Sequence, residues 1–237
     1  MPLKIWGRMS SINVKKVVWA AQELGLPFER TEAGGTFGVV KTPGYLAMNP
    51  NALVPVMDDE GFVLWESNVI VRYLCATYAP TLATSCAALP PEGAVPSLGR
   101  PGASAVSASL YPVDLQERFQ AERWMDWQQT SANPAGREAF IQWIRTPPAQ
   151  RSQEAIDKSV AAMSPKLALL DAHFATRAFA LGERFSMADI PLGCEVQRWW
   201  GLPHSEAPRL VYPNIDRWYG HVLARPASRG VLDLPLS

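Results

Sequence analysis

An α/β unit followed by an all-α unit is the fold class the sequence predicts, and three observations predict it. Strand and helix signals alternate over about the first eighty residues. Nineteen of the 29 residues over 81–109 are Ala, Ser, Pro or Gly, with Glu92 and Arg100 as the only charges, which is linker composition. Beyond that stretch the apolar residues recur at helical steps alone. The expected division is residues 1–80, a linker or insertion over 81–111, and a helical domain over 112–237.

Residues 3–6 read as a short strand that enters a turn at Gly7-Arg8-Met9. Val14, Val17, Val18, Ala21 and Leu24 then mark a helix over 12–24. Ser11 stands where an N-cap belongs and Gly25 where a C-cap belongs. Residues 27–31 suit a second strand, and Thr36 to Pro50 reads as loop. Residues 54–57 and 62–65 flank Asp58-Asp59-Glu60-Gly61 and predict a β-hairpin. Glu66-Ser67-Asn68 opens a helix over 67–78 with Ile70, Tyr73 and Leu74 on one face.

In the second half, Leu115, Phe119, Trp124 and Trp127 mark a helix over 114–131. A longer run over 154–176 carries Ile156, Val160, Met163, Leu167, Leu170 and Phe174, and Pro165 is expected to kink or split it. Phe185-Ser186-Met187-Ala188-Asp189-Ile190 reads as a helix start, with Ser186 as cap, Asp189 reaching back and Phe185 stapled to Ile190.

Composition narrows the function. Hydrophobic residues at 48% permit a core, and equal numbers of acidic and basic residues give no net charge, which argues against a nucleic-acid partner. No apolar run approaches the ~20 residues of a membrane span, and the N-terminus has no signal pattern, so a cytoplasmic protein is expected. Cys75, Cys86 and Cys194, like His173, His204 and His221, are isolated, with neither dithiol nor metal-ligand spacing. No metal is expected. The chemistry must come from other groups.

Taken in order, Asn49-Pro50-Asn51-Ala52-Leu53-Val54-Pro55, then Trp65-Glu66-Ser67-Asn68-Val69-Ile70-Val71-Arg72-Tyr73-Leu74, then the Ser186–Asp189 box resemble the cytosolic glutathione transferase family. The resemblance covers the chain outside residues 81–109 and points to a Ser-type member similar to bacterial ones. It implies a thioredoxin-like N-terminal domain without redox cysteines, and a homodimer that pairs residues 67–78 with 114–131 of the partner. Arg123 and Asp126 are alternative interface residues. It implies a detoxifying enzyme that adds glutathione, as co-substrate, to an apolar electrophile. Glutathione-dependent disulfide or peroxide reduction is an alternative, as is a non-catalytic interaction protein of the same fold.

Each motif also has its own physical logic. An X-Pro bond such as Val54-Pro55 admits both isomers, and the resemblance implies cis, which would leave the Val54 backbone N–H and C=O to pair with the tripeptide as an added strand. Ser67 at a helix start can meet a carboxylate or simply cap its helix, and Glu66 can meet an ammonium. Ser11 is the first choice for stabilising the glutathione thiolate, since its fourteen-residue spacing to Gly25 is similar to Ser-type relatives. Ser10 and Asn13 are alternatives. Many relatives carry Lys, Gln or Arg where this chain has Leu53, so Lys41 or Asn51 is the candidate for the glycyl carboxylate. Trp124, Trp127 and Gln128 are candidates for the second-substrate pocket, against the alternative that such a stripe is core.

Overall fold

A computed structural model describes residues 2–85, 110–203 and 212–237, with the side chains of residues 80–85 left aside. The N-terminal unit runs β1 (Leu3–Trp6), α1 (Ile12–Glu23), β2 (Phe28–Thr31), α2 (Pro43–Met48), β3 (Val56–Asp59), β4 (Phe62–Trp65) and α3 (Ser67–Ser85). Its sheet has the order β2-β1-β3-β4. β1 lies parallel to β2 with Ile5 opposite Arg30, and antiparallel to β3 with Ile5 opposite Met57. The β3–β4 hairpin turns through Glu60 and Gly61, both at positive φ, and Asp58 Oδ1 accepts from the Gly61 N–H at 2.7 Å. α3 continues to Ser85, past the helix end expected at residue 78 and into the expected linker, and Ala79 beyond that expected end is still buried. Residues 86–109, Cys86 and His204 lie outside the described residues.

The C-terminal unit consists of α4 (Leu115–Trp127), a π-type turn (Gln128–Ala132), α5 (Asn133–Phe140), a second π-type turn (Ile141–Arg145), α6 (Gln153–Phe174), α7 (Asp189–Trp200) and α8 (Pro213–Leu223). The expected break at Pro165 does not occur. Pro165 lies on the exposed side of α6, where water can meet the carbonyl it leaves unpaired, while Met163, Leu167, Leu170 and Phe174 bury the other side. Asp114 and Ser152 cap α4 and α6 through Glu117 N–H (2.9 Å) and Ala155 N–H (3.2 Å).

One hydrophobic core runs through both units, from Ile5, Val17 and Leu74 to Met125, Phe174 and Trp218. The joint is α1 against α7. A Cβ on Gly193 would stand 2.8 Å from the Trp19 ring, so only glycine lets α7 lie this close. Glu23, at the end of α1, accepts from Trp19 Nε1 (2.9 Å) and is bound bidentately by Arg225 (both 2.7 Å).

The Ser186–Asp189 box is the polar centre of the helical unit. Buried Asp189 accepts from the Ala180 N–H (2.8 Å), Trp218 Nε1 (2.9 Å), the Ser186 N–H (2.9 Å) and the Ser186 hydroxyl (3.2 Å). Burial nevertheless pushes its pKa up to about 6, with those four donors opposing the shift. Because the folded carboxyl titrates above its unfolded value, its contribution to stability rises on acidification from about pH 6 to about pH 4. Asp189→Asn turns an amide NH₂ toward these donors and is expected to cost roughly 3 kcal/mol at pH 7.5. Urea midpoints at pH 7.5 and pH 5 should show the gap between wild type and variant widening at the lower pH.

Candidate active site

The turn from β1 into α1 is fixed by its neighbours. The Gly7 N–H donates to Thr31 O (2.9 Å), the Arg8 N–H to Ala33 O (3.1 Å) and the Ser11 N–H to Arg8 O (3.1 Å). A Cβ on Gly7 would lie 2.4 Å from Val14 Cγ2, so the chain must pass this point as glycine. Ser11 occupies the N-cap position with extended backbone angles, and its carbonyl accepts from the Val14 and Lys15 N–H groups at 3.0 Å. Its hydroxyl makes no capping bond. The hydroxyl therefore stays available at the positive end of a twelve-residue helix. Asn13, the second residue of α1, buries an Oδ1 that has no partner among the described residues.

The facing edge is the loop into β3. The Val54–Pro55 bond is cis. Asn49 holds the loop: its Nδ2 donates to Leu53 O (2.9 Å), and its Oδ1 accepts from the Asn51 N–H (3.0 Å) and Nδ2 (3.1 Å). Tyr45 Oη adds a second donor to Leu53 O at 2.7 Å. Among the described residues the Val54 N–H and C=O have no hydrogen-bond partner. The Leu53 side chain points outward, 63% exposed.

Val56 pairs with Trp65 across the hairpin, so Pro55 and Glu66 stand side by side at one end of it. Glu66 has φ 73°, and its carbonyl accepts the first helical bond of α3 from the Ile70 N–H (2.9 Å). Glu66 is thus the N-cap, and Ser67, 3% exposed, is the first helical residue. The capping role considered for Ser67 falls to its neighbour, because the left-handed turn at Glu66 starts the helix one residue earlier than a serine cap would.

Two connected hollows meet at Ser11. An outer cleft of about 740 Å³ is lined by Ser11, Asn13, Leu53 and Val54, with Gln129 and Arg137 across from them. An inner cavity of about 170 Å³ is lined by Ser10, Ser11 and Asn13, and on the helical side by Phe140, Arg145 and Arg198. Arg8, Asn133 and Arg137 line both. Ser11, Asn13, Leu53 and Val54 are thereby brought together, and Ser10 lines the inner cavity alone. Pro55 is buried behind the edge. Glu66, Ser67, Lys41 and Asn51 line neither hollow. Lys41 is exposed beside Val40, which does line the outer cleft, and Asn51 is tied to Asn49.

Trp124, Trp127 and Gln128 do not line the inner cavity. Trp124 is buried edge-on against Trp127 (5.2 Å) and beside His173 (4.4 Å), and buried Gln128 donates to Glu195 Oε2 at 2.6 Å. Their side of α4 faces the core, and the wall is built by α5, the turn after it and α7 instead. Arg8, Arg137, Arg145 and Arg198 are the lining residues that motif reasoning missed. The four-residue steps Arg137–Ile141–Arg145 were the one sequence signal for that wall. Among the described residues, no group of three His, Cys, Asp or Glu side chains is placed to hold a metal. Nor is any helix there long and apolar enough to cross a membrane. Cys75 and Cys194 are buried free thiols, and burial pushes both up to about 12.

Family profiles match both halves: "Glutathione S-transferase, N-terminal domain" over residues 1–76 and "Glutathione S-transferase, C-terminal domain" over 153–221. Glutathione S-transferase GstB of Escherichia coli K12 is 35% identical over 237 residues, 99% of this chain and 100% of the relative. A crystal structure of a theta-class glutathione S-transferase from Xanthomonas axonopodis pv. citri, with glutathione bound, is 36% identical. It superposes with a TM-score of 0.83 and covers all of both chains. Glutathione transferase F2 from Populus trichocarpa, 22% identical over 98% of this chain and 97% of its own, shares the fold with a TM-score of 0.79.

The Asn49 clamp is the feature of this edge that a single substitution reports best. Asn49→Ala removes one donor and one doubly used acceptor from a buried site and is expected to cost about 1–3 kcal/mol. Chemical denaturation measures that loss. Hydrogen exchange at the Asn51 amide should accelerate in the variant.

Proposed function

The chain belongs to the glutathione S-transferase family, and from that premise we propose which of its groups hold the tripeptide and activate its thiol. It is a glutathione S-transferase. In the proposed mode the cysteinyl backbone of glutathione pairs with the Val54 N–H and C=O, which have no protein partner among the described residues. The γ-glutamyl carboxylate meets the N-terminus of α3 at Ser67, and its ammonium meets Glu66. Lys41, exposed and next in the chain to the cleft-lining Val40, is the candidate for the glycyl carboxylate. The two-domain division near residues 80 and 112, and a cytoplasmic detoxifying role, belong to the same reading.

The observation that carries the mechanism is the Ser11 hydroxyl, which caps nothing and lines both hollows. Its O–H donates to the sulfur, and the N-terminus of α1 adds positive potential, so thiolate is favoured over thiol. The thiol proton passes to solvent, and the thiolate attacks an electrophile held in the inner cavity. The rate comes from ionisation and positioning, with no covalent enzyme intermediate.

A homodimer completes the proposal. Phe62, Trp65 and Val69 on β4 and α3, and Phe119 on α4, are large apolar side chains exposed in the single chain, as an unmade two-fold interface requires. Asp126, an alternative interface residue, is already ion-paired with Arg72 of its own chain.

Ser11→Ala should raise the pKa of the bound thiol and lower turnover at neutral pH, with the loss shrinking as pH rises. Ser10→Ala should leave the lower limb of the pH–rate profile in place, and a shift of that limb in Ser10→Ala alone would move the role to Ser10. Light scattering should give twice the chain mass, and Phe119→Lys should shift the balance toward monomer.

A further inference from the structure

Five cationic side chains and no carboxylate line the inner cavity behind Ser11, while Glu195 pairs with Arg198 and Asp233 acts on Lys15 from outside that lining. Arg8, Arg137 and Arg145 line it, and none of the three is in an ion pair among the described residues. Lys15 lines it too, its Nζ donating to the neutral Gln197 Oε1 at 3.2 Å. Arg198 is held by Glu195 and donates to Asn133 O at 3.4 Å. Phe140, Ile141 and Leu236 add apolar surface beside the polar Ser10, Asn13 and Asn133.

Arg145 is an exposed residue whose guanidinium makes two contacts at the cavity. It sits 5.0 Å over the Phe140 ring and donates to the Ser10 carbonyl at 3.4 Å, which holds it beside the Ser10–Ser11 turn. Burial, and then the like charges of Arg8, Arg198 and Arg137, lower its pKa. Like charges collected around a cavity lower stability unless an anion comes between them, and they raise the local concentration of anions.

The charge is also on the correct side for a second substrate. Arg145 and Lys15 line the inner cavity and not the outer cleft, whereas Leu53 and Val54 line the outer cleft and not the inner cavity. Ser11 lines both, as do Arg8 and Arg137, so the sulfur of a tripeptide paired with Val54 lies between the peptide edge and Arg145.

We propose that the second substrate of this enzyme is an anionic electrophile, a small carboxylate-bearing molecule whose acid group sits on Arg145 with Arg137 and whose apolar body packs on Phe140 and Ile141. This rests on the glutathione transferase reading and names its substrate class, in place of the purely apolar electrophile expected from the sequence. For an aryl halide acid the step is a substitution. The thiolate sulfur forms a bond to the ring carbon that bears chlorine, the carbon–chlorine bond breaks, and chloride leaves with the bonding pair. The carboxylate takes no part in bond making and is held by bidentate charge-assisted hydrogen bonds.

The test compares 4-chloro-3-nitrobenzoate with its neutral isostere 4-chloro-3-nitrobenzamide, each rate normalised to the uncatalysed reaction with glutathione. Wild type is expected to favour the acid by about ten-fold or more in normalised kcat/KM. Arg145→Gln should lower the acid-to-amide ratio about ten-fold, and Arg145→Lys should restore part of it. A wild-type ratio near one, or a ratio unmoved in a folded Arg145→Gln, overturns the proposal. If Arg145→Gln does not fold, inhibition of wild type by 4-nitrobenzoate and 4-nitrobenzamide decides instead. The acid should inhibit at about ten-fold lower concentration, with the gap shrinking as salt rises, and equal inhibition overturns the proposal. If wild type turns over neither electrophile yet calorimetry shows it binding 4-nitrobenzoate over the amide, the anion site stands and the transferase reading falls. If it binds neither, both fall.

Discussion

Helix α1 is the element on which the rest of the structure depends, because it is buried on nearly every side. Every residue from Val14 to Ala21 is buried, Lys15 and Lys16 included. One side of the helix packs on α3 and shares a core with Leu3, Ile5 and Met57 of the sheet, and the other packs on α7, where Trp19 lies in the space that Gly193 leaves open. A helix clamped this way cannot shift along its axis without driving the Trp19 ring into the α7 backbone. Its N-terminus is therefore a fixed point, and the Ser11 hydroxyl stands at it. The rigidity of the joint between the two units and the placement of the Ser11 hydroxyl are one packing problem.

Burying α1 completely brings charges into the interior, and the fold answers each with a specific partner. Lys16 donates to Gln129 Oε1 at 2.9 Å, and burial lowers its pKa to about 8. Glu195 is satisfied by Gln128 and by Arg198. These contacts tie α1 and α7 to the π-type turn that leads into α5, and α5 with the turn after it carries Arg137 and Arg145. The polar network thus sets the distance between the serine turn and the cationic wall. Where the network ends, the arginines remain unmatched, and electrostatic stability gives way to the capacity to receive an anion.

The Ser11 turn, the Val54-Pro55 step and the helix start at Glu66-Ser67 were legible in the sequence because each is local. A serine at a helix start, an X-Pro step entering a strand and a Glu-Ser opening the next helix each depend on a few consecutive residues. The hairpin then fixes by register that Pro55 and Glu66 are neighbours. Residues 43–48, expected as loop, form α2, and two further local readings needed correction for local reasons. Pro165 does not break α6, since its missing donor falls on the wet side, and Glu66 rather than Ser67 caps α3, since the backbone turns left-handed there.

The sequence by itself determined the order of elements, the division into a mixed and a helical unit, the Ser186–Asp189 box, and the grouping of Ser11, Leu53 and Val54 around one cleft. The tertiary structure decided which helix faces close that cleft. Periodicity assigns an apolar stripe to a helix but does not say whether the stripe meets the core or a cavity. Trp124 and Trp127 mark the core side of α4, and the cavity wall comes from Phe140, Arg145 and Arg198 on other elements. Arg8 and Arg145 are 137 positions apart in the chain and share one cavity only because α1, locked over Gly193, holds the two units in a single relative position.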